Sequence, residues 1–175
     1  MTTLDIVPEQ ARADAAALAD QLADRLAVPP PPEHGGDRSP GSPRWLGQSL
    51  ARGAAGVAVL HGVRTRAGLG GWERAHAWLA CAAREDLSAG TGAGLWFGAP
   101  AVAFAAATAA APGRCQRALG ALDADVAALV RARLAAARAR MAAGACPALV
   151  EGTAGIALTC TPWHLAQAAA GRPAC

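Results

Sequence analysis

Apolar residues along the chain recur mostly at helical spacing. Leu18, Leu22 and Leu26 follow one another every four residues and predict a first helix over residues 8–28. A weaker helical segment is predicted to start near Thr153. β-Branched residues are few, and Ala, Leu and Arg favour helices, so we expect an all-α fold. Four further helices are predicted over residues 46–63, 72–84, 101–111 and 114–143.

Two of these predicted helices carry a defined apolar face. In the helix over residues 72–84, the face expected to be buried consists of Trp72, Ala75, Trp78, Leu79 and Ala82. In the longest helix it consists of Leu119, Leu122, Val126, Leu129 and Leu134. Four arginines crowd the second half of the longest helix, where we interpret them as a solvated face that complements the helix dipole rather than an anion site. These arginines are Arg131, Arg133, Arg138 and Arg140.

Breaks in the helical pattern divide the chain into four segments. The N-terminal helix belongs to residues 1–28, and a linker rich in Pro and Gly follows over residues 29–44. We expect an α/α repeat region over residues 45–158 and a divergent, disordered tail over residues 159–175. Within the repeat region, the glycine-rich stretch 88–94 is predicted to be a loop.

Composition narrows the function as well as the fold. Ala supplies 50 of the 175 residues, whereas Val, Ile, Leu, Met, Phe and Trp together supply 38, so the bulky apolar content is modest. No apolar run reaches the roughly 20 residues of a membrane span. A net charge of +3 is too small to indicate nucleic-acid binding. Five cysteines without a CxxC pair, and an N-terminus without a targeting pattern, predict a reduced, cytoplasmic protein.

A glycine motif occurs three times, each time before a run of small apolar residues. Its first copy contains Gly53 and Gly56, its second Gly94 and Gly98, and its third Gly152 and Gly155. Glycines at the start of a helix let backbones approach closely, so each motif is predicted to open a buried inner helix. An amphipathic outer helix between copies would complete a repeating pair.

The motif copies and their surroundings resemble the lanthionine synthetase C family, the cyclases of lanthipeptide biosynthesis. Residues 49–62, 72–79, 94–104 and 151–156 carry the resemblance. Together they span roughly residues 45–158, which corresponds to the N-terminal part of such a protein. The resemblance implies an α/α toroid of inner and outer helices around a zinc ion held by two Cys and one His. The zinc-bound thiolate of a peptide would add to a dehydrated residue and form a thioether ring.

The sequence departs from this family where the zinc ligands are expected. Neither the Trp-Cys-x-Gly segment nor the Cys-His-Gly segment of the family occurs in the 175 residues, and none of His34, His61, His76 and His164 follows a cysteine. We therefore expect a truncated or degenerate relative with no catalytic residue, no metal ligand, no cofactor and an incomplete toroid. Cys160 and His164, even with Cys146 or Cys175, are not expected to bind metal, because Pro162 interrupts any helix between them.

Two other interpretations remain open at this stage. The first is a small α-helical interaction module, because an incomplete repeat leaves an apolar helical face for a peptide substrate or a partner protein. The second is another kind of α/α toroid, such as a glycosidase, although paired acids at usable positions are missing. His61 and His76 are interpreted as core or rim residues of helices. The tryptophans interpreted as packing anchors are Trp72, Trp78 and Trp96.

Overall fold

A computed structural model describes residues 8–31, 45–90, 92–109 and 114–145. These residues fold into five packed α-helices and no β-strand, which confirms the all-α prediction. In the same residues, no helix is both long and apolar enough to cross a membrane. The helices are α1 (Glu9–Arg25), α2 (Ala54–Arg66), α3 (Trp72–Ala82), α4 (Ala99–Ala109) and α5 (Gln116–Ala142).

Helix α4 is the centre of the fold. Its sequence is almost entirely alanine and other apolar residues, and only Phe104 and Thr108 are partly exposed. Pro100 lies in the first turn, where its missing N–H costs no helical hydrogen bond. A helix that is apolar on every side has to be covered on every side. Helices α2, α3 and α5 pack against it.

Helix α2 approaches α4 at backbone distance. A Cβ atom at Gly62 would lie 2.6 Å from the Ala109 Cα atom, so only glycine fits at this crossing. Ala54, Ala55 and Ala58 of α2 are also fully buried. Small side chains at a helix crossing bring the two axes close together. The Ala-rich composition is therefore used for close helix packing.

The helices form two consecutive pairs, α2 with α3 and α4 with α5, which are joined through α2 and α4. Helix α2 packs most extensively on α3, and α4 packs more extensively on α2 than on α5. Trp78 and Leu79 are buried on α3, and Leu119, Leu122, Val126 and Leu129 are buried on α5, as their spacing predicts. Gly144, with a φ of +74°, ends α5 in the left-handed conformation that favours glycine. Leu134 in contrast is exposed, although it continues the same apolar pattern.

Helix α1 is attached to the other helices mainly through its C-terminal end. The Leu26 carbonyl accepts hydrogen bonds from Trp78 Nε1 and His61 Nε2, both at 2.8 Å. The buried His61 is therefore a core residue, as predicted, and its Nε2 atom carries the proton that it donates. Trp45 stacks obliquely on Trp78 with ring centroids 6.1 Å apart. Within α1 itself, Ala23 is the only buried residue.

Two details of the predicted helices are wrong. The helix expected from residue 46 begins only at Ala54, because residues 46–53 form a compact turn. Ser49 Oγ accepts the amide protons of Ala51 and Arg52 at 3.2 Å, and side-chain bonds of this kind compete with helix formation. Of the leucine stripe predicted for the first helix, only Leu26, directly after α1, packs on the core. Leu18 and Leu22 lie on the solvent-exposed side of α1.

We expect the replacement of Trp78 by Phe to destabilise the protein. The variant keeps an aromatic ring but removes one donor to the Leu26 carbonyl, which should lower the free energy of unfolding by about 1–3 kcal/mol. Trp96→Phe is the matched control, because this side chain is exposed, and it should change stability by less than about 0.5 kcal/mol. Urea unfolding followed by circular dichroism measures both; equal losses would contradict the role given to Trp78.

Candidate functional site

The first two glycine motifs meet at one end of the helix bundle. The turn over residues 45–53 precedes α2, and the loop segments 87–90 and 92–98 precede α4. The Leu50 amide donates a hydrogen bond to the Trp96 carbonyl at 3.1 Å, and Ser49 forms an isolated β-bridge with Phe97. Backbone hydrogen bonds connect these two segments, and we call the two together the loop junction.

Gln48 supplies a second connection across the loop junction. This buried side chain donates from Nε2 to the Asp86 carbonyl at 2.8 Å and accepts the Ser88 amide proton on Oε1 at 2.9 Å. Both ends of the amide are therefore satisfied, as a buried polar group requires. The Ser88 carbonyl oxygen accepts the Ala99 amide proton at 2.8 Å. This bond fixes the start of α4 relative to the loop.

Three of the four motif glycines in the described residues lie where a side chain would collide with the backbone. A Cβ atom would lie 1.7 Å from the Leu46 carbonyl oxygen at Gly53 and 2.0 Å from the Leu50 carbonyl oxygen at Gly56. Gly98 combines a φ of +82° with a distance of 2.3 Å to the Ser88 carbonyl oxygen. These glycines therefore allow the loops to fold directly against the helix ends.

Gly94, the fourth motif glycine of the described residues, differs from these three. Around Gly94 the nearest atom to a Cβ would be the Arg133 guanidinium at 3.9 Å, so a methyl group fits there. Gly152 and Gly155, the third copy, lie outside the described residues. Gly62, at the crossing of α2 and α4, was missed as a structural position, although a glycine inside a helical pattern is itself a sign of close packing.

Arg133 extends from α5 to the loop junction and donates a hydrogen bond to the Ala93 carbonyl. The prediction that all four arginines of α5 are solvated is therefore wrong for Arg133, which is partly buried. Its side chain connects the second helix pair to the loop of the second motif. The other three, Arg131, Arg138 and Arg140, are exposed as expected.

Trp96 is the most prominent exposed residue of the loop junction. Trp96 is 64% exposed, so the prediction that it anchors helix packing is wrong. The loop uses the Trp96 carbonyl, not the indole, to bind Leu50. Trp72 is partly buried and lies against His76, with ring centroids 6.4 Å apart. The buried Trp78 is the one of the three predicted anchors that fully occupies the core.

The described residues do not fit the zinc site that the resemblance implies. In them, no three His, Cys, Asp or Glu side chains lie close enough together to hold a metal ion. His61 Nε2 is occupied by the Leu26 carbonyl. Burial raises the pKa of the Cys81 thiol, against a smaller opposite effect of Arg84, so the thiol form is favoured over the metal-binding thiolate. Cys146, Cys160, His164 and Cys175 lie outside the described residues.

Comparison with known proteins adds no relative. No protein-family model, no curated protein and no solved structure matches the chain.

We expect alanine to be tolerated very differently at the glycines of this chain. Gly53→Ala forces backbone atoms apart and should lower the free energy of unfolding by about 3 kcal/mol or more. Gly94→Ala should be nearly neutral. Gly120→Ala, on α5 where a Cβ atom meets nothing within 4 Å, should stabilise by about 0.5–1 kcal/mol.

Thermal and urea unfolding of these variants measure the differences. The prediction is contradicted if Gly53→Ala and Gly94→Ala lose the same stability, because their surroundings would then not differ as described.

Proposed function

We propose that this chain is a lanthionine synthetase C-like α/α repeat protein that binds a peptide at the loop junction but does not cyclise it. In this proposal α2 and α4 are inner helices, and α3 and α5 are outer helices, of an incomplete toroid. The proposed ligand is a peptide that carries cysteine and dehydrated residues, the substrate class that the resemblance implies.

The order and burial of the helices support the repeat part of the proposal. Helices α2 and α4 each follow a glycine motif and pack on each other. Helices α3 and α5 present charged residues to solvent, among them Glu73, Arg74 and Arg131. Helix α4 is buried on almost every side and α5 is mostly exposed, as the inner and outer helix of an α/α pair would be, whereas α2 and α3 are each buried on one side.

The exposed indole of Trp96 is the observation that carries the binding part. Its carbonyl oxygen accepts a hydrogen bond from the Leu50 amide, while the residue is 64% exposed. An exposed tryptophan on a fixed backbone loses little conformational entropy when a ligand covers it. Tryptophan also offers a large apolar surface together with one hydrogen-bond donor, which is why it recurs at the centre of binding interfaces.

The surroundings of the cysteine and histidine side chains support the proposal that the chain does not catalyse cyclisation. The family's reaction needs a metal-bound thiolate, and the two buried candidate donors of the described residues, Cys81 and His61, are held in the core. Cys81 is held as a thiol, and His61 is held by a backbone carbonyl.

A second candidate function is a protein-interaction module whose partner covers α5. Leu134 and Met141 are exposed on the second half of this helix, beside the exposed Arg131 and Arg138. An apolar and basic helical face of this kind fits an acidic protein surface. This candidate predicts that binding depends on α5 and is unaffected by substitution of Trp96.

Binding and catalysis can be measured on the same samples. A synthetic peptide with one cysteine and one dehydroalanine is titrated into the full chain by calorimetry. We expect binding that Trp96→Ala weakens by about tenfold or more, equivalent to about 1.4 kcal/mol, and that Trp96→Phe largely preserves. Leu69→Ala is the control, because Leu69 is similarly exposed but distant in sequence from the loop junction.

The same incubation, with zinc supplied and then removed by dialysis, tests the absence of cyclisation. We expect substoichiometric zinc by elemental analysis, and a peptide thiol that remains fully alkylatable in mass spectrometry. One retained zinc per chain together with loss of the peptide thiol would contradict the non-catalytic part. Equal binding by wild type and Trp96→Ala would contradict the binding part.

A further inference from the structure

The segment directly after α1 is bound through its backbone carbonyls. Its Leu26 carbonyl oxygen lies 2.8 Å from both His61 Nε2 of α2 and Trp78 Nε1 of α3. The two donor residues are 3% and 2% exposed, and they lie 35 and 52 residues away from Leu26 in the chain. Two buried donors that converge on one point form a site for an oxygen atom, because each would lose its partner if that oxygen left.

A second carbonyl of the same segment is bound four residues later. Arg84, an exposed residue just after α3, donates to the Pro30 carbonyl at 2.8 Å. Residues 29–31 are prolines that form neither helix nor strand. A proline run favours the extended polyproline II conformation, in which no internal hydrogen bond occupies the carbonyls. We call residues 26–31 the strap. The carbonyl-binding surface consists of His61, Trp78 and Arg84.

Helix α1, which carries the strap, is otherwise attached by few contacts. It packs on the other helices far less than they pack on one another, and only Ala23 is buried. Two ion pairs join it to α2 and α3, Asp20 with Arg64 and Asp24 with Arg74, and both aspartates are exposed. Exposed ion pairs stabilise little and are screened by salt. The strap therefore depends mainly on the carbonyl-binding surface for its place.

We propose that the carbonyl-binding surface is a docking site for a proline-rich segment of a partner protein, and that the strap occupies it in competition. The strap indicates the chemistry of the partner, which is an apolar residue followed by prolines. Leu26, Pro29 and Pro30 are half-buried on this surface. Trp45 lies obliquely on Trp78, with ring centroids 6.1 Å apart, so the buried donors lie beside an aromatic pair. Aromatic surfaces are the usual docking sites of proline-rich segments.

This site is separate from the peptide site proposed above. The three donors of the carbonyl-binding surface lie outside the loop junction, and they bind backbone oxygens of a proline-rich segment instead of an apolar ligand on the Trp96 indole. Failure of one site therefore leaves the other untouched.

A peptide of residues 26–31, acetylated and amidated at its ends, tests whether the strap can be displaced. It is titrated into the full chain and followed by NMR chemical shifts. The variant Asp20→Asn/Asp24→Asn weakens only the attached strap, because the peptide contains neither aspartate. The apparent affinity for the peptide should therefore rise by about threefold or more relative to the wild type.

Asp14→Asn is the matched control for these aspartates. Asp14 is exposed on the same helix, where it accepts a hydrogen bond from Gln10, and its substitution should leave the affinity unchanged. Circular dichroism checks that each variant keeps its helices. In the wild type, added salt should raise the apparent affinity in the same direction, since it screens both ion pairs.

Further substitutions in the double aspartate variant locate the peptide. Arg84→Ala removes the donor to the proline carbonyl and should weaken binding by about threefold or more. Arg117→Ala, which replaces an exposed arginine of α5, should not weaken it. A peptide whose three prolines are replaced by alanine should also bind about threefold less tightly or worse, because it loses the preformed extended backbone.

Three results would overturn the proposal. The first is absence of peptide binding to the double aspartate variant, or the same affinity in this variant and the wild type. The second is an equal effect of Arg84→Ala and Arg117→Ala, which would place the peptide elsewhere. The third is dimerisation of the double aspartate variant in sedimentation velocity without peptide binding, because the strap of a second copy would then fill the surface.

Discussion

The close approach of α2 to its neighbours is the constraint on which the other packing depends. On one side, Gly62 lets the α2 backbone cross α4 at Ala109. At the N-terminal end, Gly53 and Gly56 let the preceding turn fold back onto the helix. A single methyl group at any of these positions would separate parts of the backbone that the rest of the fold holds together.

This constraint explains how an Ala-rich chain forms a core. Alanine buries little apolar surface per side chain, so stabilisation has to come from many short-range contacts between closely spaced helices. The largest fully buried side chains, Trp78, Leu119 and Val126, come from α3 and α5. Polar connections such as Gln48 and the Leu26 carbonyl then fix how the loops and α1 sit on this core.

Sequence reasoning predicted the parts that depend on periodicity. The five described helices follow from helix-forming composition, helix breakers and apolar spacing, and the spacing also predicts the buried faces of α3 and most of α5. It failed where a local or distant hydrogen bond decides the outcome. Ser49 prevents α2 from starting early, and the Leu50 amide binds the carbonyl of Trp96 while its indole stays exposed. Neither Gln48 nor Arg133 carries a sequence signal, because each binds backbone atoms about 40 residues away.

We conclude that the loop junction forms one cooperative unit with the two helix pairs, which α2 and α4 already join by packing on each other. Native-state hydrogen exchange of the Leu50 amide, which donates across the junction to Trp96, measures this directly. The account predicts that this amide exchanges as slowly as the Val102 amide in α4, through opening of the whole fold. Exchange as fast as that of the Arg12 amide, in the exposed first turn of α1, would contradict the claim.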